Sequence, residues 1–151
     1  MITVVAAVIG WSIVERFARQ RERRVKVKAM VTSFIAAVNE ISGDAIRYYE
    51  LEGASARAVV LSKTLKSGIS TLGDVIEALK FSGVELSKGD TSLKVFRQVI
   101  TGGVFDTMER TASPSGAPVF ELIANASASL ARNMQLAHFR SMALRKAHSK
   151  T

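Results

Sequence analysis

Val27-Lys28-Ala29-Met30-Val31-Thr32-Ser33-Phe34-Ile35-Ala36-Ala37-Val38-Asn39-Glu40-Ile41-Ser42-Gly43-Asp44-Ala45-Ile46-Arg47-Tyr48 is the stretch whose reading decides the fold. Its apolar positions Val27, Val31, Phe34, Val38, Ile41, Ala45 and Tyr48 recur at alternating spacings of four and three residues. Such an unbroken heptad seam marks a helix that packs against other helices at a shallow angle. Gly43 lies inside the seam without shifting its phase, so it predicts a kink at most, and Gly53 is the better stop.

Three further segments repeat the pattern. With Ser55 as N-cap, Ala58, Leu61, Leu65, Gly68, Leu72, Val75 and Leu79 form a second stripe, widened by Ile69 and Ile76 and ended by Phe81-Ser82-Gly83. Gly68 and Gly73 each lower helix propensity by roughly 1 kcal/mol relative to Ala, which close packing against a neighbour would explain. After a loop from Gly83 to Asp90, a third helix is expected from Ser92 to about Arg110, with Leu93, Phe96, Ile100, Val104 and Met108 inward and Gly102-Gly103 as its weak point. Thr111 to Pro118 reads as a loop, and Pro118 suits the first turn of a last helix, where its missing N–H costs nothing. That helix carries Phe120, Ile123, Ser127, Leu130, Met134, Ala137, Ser141 and Leu144 inward, a seam rich in small residues.

Outward from these stripes, composition agrees. Among 151 residues, 48% are apolar, enough for a core, while two prolines and 7% aromatics argue against an all-β design. The absence of cysteine excludes a disulfide framework, a thiolate metal site and a Cys nucleophile.

The net charge of +8 is concentrated at the ends. Arg16, Arg19, Arg21, Arg23, Arg24, Lys26 and Lys28 crowd one junction, and Arg140, Arg145, Lys146 and Lys150 occupy an acid-free tail. The junction follows an uncharged run from Met1 to Val14, the layout of a membrane anchor meeting an anionic cytoplasmic leaflet. Fourteen helical residues reach roughly 21 Å against roughly 30 Å of hydrocarbon, so Phe17 and Ala18 would have to extend the span. Trp11 suits the membrane interface, and Ala6 and Gly10 form a small-xxx-small pair for helix packing. A cleaved signal would carry its positive charge before the apolar run, and a buried core helix would show a wider polar face than Thr3 and Ser12 provide.

The fold class expected is therefore all-α: an N-terminal membrane-anchor helix continuing into an antiparallel bundle of about four helices. Its divisions are an anchor over 1–18, a basic stalk over 19–26, a bundle over 27–146 and a basic tail over 147–151. In an up-down-up-down order the last helix ends where the first begins, so both basic clusters would form one collar contacting lipid headgroups. The localisation expected is single-pass in a membrane, with the bulk of the chain cytoplasmic.

No catalytic or metal motif accompanies this layout. His138 has no acidic residue in helical reach, His148 lies in the tail, and no phosphate-binding glycine loop or nucleophile elbow occurs. Tyr48 is on the seam, and its hydroxyl is expected in water at the end of the bundle, with a ligand or partner spot as the alternative. The function expected is a non-enzymatic membrane-anchored interaction or assembly module, needing no cofactor, with anionic lipids and a protein partner or second copy as its contacts. The alternatives are nucleic-acid binding through the basic arm and a subunit of a membrane pore.

Overall fold

The computed structural model describes residues 2–87 and 89–148, with side chains over 21–87 and 89–144. Four helices follow one another: α1 (Ile2–Tyr49), α2 (Ala56–Phe81), α3 (Ser92–Thr101) and α4 (Pro118–His148). No strand occurs among the described residues.

The α1 seam becomes the centre of the core: Val27, Val31, Phe34, Val38, Ile41, Ala45 and Tyr48 are all buried. α1 packs against both α2 and α4, and α3 packs mainly on α4. Phe34, Phe96, Leu72, Ile100, Ile123 and Leu130 are fully buried between these layers, and each such side chain contributes roughly 1.5–3 kcal/mol of transfer free energy. Ala126, Ser127 and Ala137 lie on the buried face of α4 and pack within the bundle, while Ala128 and Ser129 are exposed.

Two interactions fix the direction of α4 relative to α1. The Ser113 N–H, just before α4, donates to the Tyr49 carbonyl at the end of α1 (2.8 Å). At the other end, His138, Ser141 and Met142 of α4 share a cavity with Arg24, Val25, Val27 and Lys28 of α1. The two helices are therefore antiparallel.

The end of α2 follows from Gly83, which adopts φ +84°. Its N–H donates to the Lys80 carbonyl and that of Val84 to the Leu79 carbonyl, both at 2.9 Å. This is the Schellman closure, completed by buried Leu79 and Val84. Ser55 takes the N-cap position with an extended backbone, but its side chain makes no capping hydrogen bond. A Cβ on Gly68 would lie 3.1 Å from Ile41 Cδ1, so that glycine does admit close α1–α2 packing. Gly73 does not: a Cβ there would meet nothing within 4 Å.

Three expectations are corrected. The third helix stops at Thr101 and not near Arg110, because Gly102 turns extended (ψ 173°) and Gly103 takes φ +60°. The glycine pair resets the phase, so Phe105 enters the core while Val104 and Met108 stay exposed. Leu144 is likewise exposed, though the α4 stripe had it inward. The single-pass membrane localisation is overturned: among the described residues, no helix is long and apolar enough to cross a membrane. The physical reason is length, since the uncharged run ends at Val14, roughly 21 Å along a helix.

Candidate functional site

The two ends of the bundle gather the polar chemistry. At the end where α1 stops, the segment after α3 folds over Tyr48 and Tyr49. The Tyr48 hydroxyl accepts from the Asp106 N–H (2.8 Å), and the Tyr49 hydroxyl donates to the Ile100 carbonyl (2.8 Å). The Tyr48 hydroxyl is thus satisfied by protein, which corrects the expectation of a water-facing tyrosine.

Arg110 closes this end. It is 5% exposed, and its guanidinium carbon lies 4.1 Å from the Tyr48 ring centroid and 5.4 Å from that of Tyr49. Its Nη1 donates to the Leu51 carbonyl (2.7 Å), while Nε and Nη2 are buried without a hydrogen-bond partner. No carboxylate pairs with it among the described residues. The cation instead rests on two aromatic faces and on carbonyls at the C-terminal end of α1, where the helix dipole favours positive charge. Gly53 lets the strands of loop meet: its N–H donates to the Arg110 carbonyl (2.8 Å), and a Cβ there would overlap the Thr107 carbonyl oxygen.

Two titrations are displaced at this end. Burial raises the Tyr49 phenol, the neighbouring Tyr48 raises it further, and Arg110 partly opposes both. Asp106, at φ +67°, pairs with Lys66. The hydrogen bond from Lys66, and then that from Ser62, hold its carboxyl below the usual value.

At the opposite end the cations are open. Arg21, Arg23, Arg24, Lys26 and Lys28 are all exposed, as is Glu22. Beside them α4 contributes His138, Ser141 and Met142 to a cavity of about 220 Å³ whose floor includes Val27. Val25 and Met142, which line it, are exposed, as are Phe139 and Leu144 elsewhere on this part of α4. Arg140 belongs to the same end but leans away from α1, its Nη1 donating to the Ser87 hydroxyl in the α2–α3 connection.

Of the residues singled out in the sequence, Arg21, Arg23, Arg24, Lys26, Lys28 and Arg140 are thus at one end. Ala6, Gly10, Trp11, Arg16, Arg19, Arg145 and Lys146 fall outside the residues whose side chains are described, and Lys150 lies outside the described residues altogether. Arg110 was not singled out, since no periodicity or motif marks it.

A long groove runs between α1 and α2, about 930 Å³ in volume, with Ala29, Ser33 and Ala37 facing Ser67, Gly68 and Thr71. No three His, Cys, Asp or Glu side chains cluster to hold a metal ion among the described residues. No protein-family model, curated protein or solved structure matches this chain.

Proposed function

We propose that this protein is a non-enzymatic helical interaction module that docks on an anionic lipid surface through its basic end, without a span. The observation that carries the reading is the company the cations keep. Arg24 and Lys28 share a cavity with exposed Val25 and the α4 side chain Met142, and Arg21, Arg23 and Lys26 stand exposed on the same turns of α1. Basic groups draw a surface toward phosphate and carboxylate headgroups, each contributing about 1 kcal/mol near an anionic leaflet. Apolar side chains among them gain by entering the headgroup boundary, which is how interfacial helices hold. A nucleic-acid duplex would reward the cations but offers no apolar layer for Val25, Phe139 and Met142.

The test is co-sedimentation of the full chain with vesicles of phosphatidylcholine alone and with added phosphatidylserine. Binding to the anionic vesicles alone, released by salt that shortens the screening length below about 8 Å, supports the reading. Equal binding to both vesicles, or preference for duplex DNA over anionic vesicles, contradicts it.

A protein partner is the second reading, favoured by the α1–α2 groove. Its small side chains leave room along both helices for an added helix to approach closely.

A further inference from the structure

α2 and α3 scarcely touch. Between them, and under the residues that follow α3, lies a cleft of about 570 Å³. That volume falls within the usual range for small-molecule sites. We propose that this cleft binds a small amphipathic monoanion, an apolar body carrying one carboxylate or sulfonate.

Its floor is apolar. Ile69 from α2 and Phe105 from the segment after α3 are buried, and Leu93 from α3 is partly buried beside them. Its rim is charged. Lys66 is paired with Asp106 and lies 5.7 Å from the Phe105 ring centroid. Arg97 is exposed and makes no ion pair among the described residues. With the Lys66–Asp106 pair neutral as a unit, Arg97 leaves one uncompensated positive charge over an apolar floor. An apolar ligand with a single negative charge complements both.

Gly73 provides the independent observation. A glycine in the interior of a 26-residue helix is unfavourable for helix formation. Gly68, on the same helix, is explained by its approach to Ile41, but Gly73 has no neighbour within 4 Å of a built Cβ. It has an ordinary helical backbone that any residue could adopt, and it lines this cleft. The missing side chain keeps the space open, where a larger residue would fill it.

The probe is anilinonaphthalene sulfonate, with uncharged phenylnaphthylamine as its counterpart, titrated by fluorescence into the folded full chain. Arg97→Gln should weaken the sulfonate about tenfold, the size of a charge-assisted contact, and leave phenylnaphthylamine unchanged. Gly73→Leu should weaken both dyes, with helical circular dichroism retained. Gly73→Ala is the milder version: it should raise the melting temperature, because alanine favours the helix, while lowering the affinity for both dyes. Amide shifts on titration should centre on Gly73, Leu93 and Arg97. Absence of sulfonate binding, equal affinity across all variants, or shifts centred on the α1–α4 cavity at Val25 and Met142 would overturn the proposal.

Discussion

The two ends of this bundle treat arginine in opposite ways. At one end Arg110 is enclosed by Tyr48, Tyr49 and the carbonyl of Leu51. At the other, Arg21, Arg23, Arg24, Lys26 and Lys28 stand in solvent with exposed apolar neighbours. The enclosed cation ties a loop to the end of α1 and is unavailable to a partner. The exposed ones contribute little to folding and remain free to bind. Stability should therefore be sensitive to substitution at the closed end and nearly indifferent to it at the open end.

Gly53→Ala should have the largest effect, since its Cβ would overlap the Thr107 carbonyl. Backbone must move to relieve that overlap, and urea unfolding should register a loss of about 3 kcal/mol. A loss near zero would mean that the loop is not held against α1 as described. Arg110→Ala comes next, at about 2 kcal/mol by the same measurement, from lost ring contacts and an orphaned Leu51 carbonyl.

Tyr49→Phe should lose about 1 kcal/mol at neutral pH through its bond to the Ile100 carbonyl. It also carries a pH signature. The folded phenol is raised above its ordinary value of about 10, so the unfolded chain ionises first. Its favourable contribution is complete below about pH 10 and declines as the pH rises beyond it. The variant should show a shallower alkaline loss of stability, and an unchanged slope would place the titration elsewhere. The smallest effect belongs to the open end: Arg24→Gln and Lys28→Gln together should stay within about 0.5 kcal/mol of the parent. A larger loss would mean that these cations are structural after all.

The part of this fold legible in the sequence is the part built from heptads. Val27 to Tyr48 and Ile123 to Ser141 could be read because an inward residue recurs with each turn, and burial follows that period. The stretch after Thr101 was illegible because Gly102 and Gly103 reset the phase, exchanging Val104 and Met108 for Phe105. Arg110 was invisible for a different reason. Its partners are two ring faces and a backbone carbonyl about 60 residues earlier in the chain, and none of these has a residue-type signature. The basic end was legible as charge, and the return of α4 to it followed from reading four amphipathic helices in alternating directions. The apolar run before it was over-read: absence of charge over fourteen residues is not the length of a span.

The most direct test of the docking account is paramagnetic broadening of methyl signals in the full chain bound to phosphatidylserine-containing vesicles with spin-labelled headgroups. All four reporter side chains are exposed: Val25 and Met142 at the basic end, Val60 on α2 and Met108 in the loop at the closed end. The account predicts strong broadening of Val25 and Met142, little at Val60 and Met108, and loss of the effect when Arg21, Arg23, Arg24, Lys26 and Lys28 are replaced by Gln. Broadening of Met108 equal to that of Val25, or broadening that survives the five replacements, would contradict it.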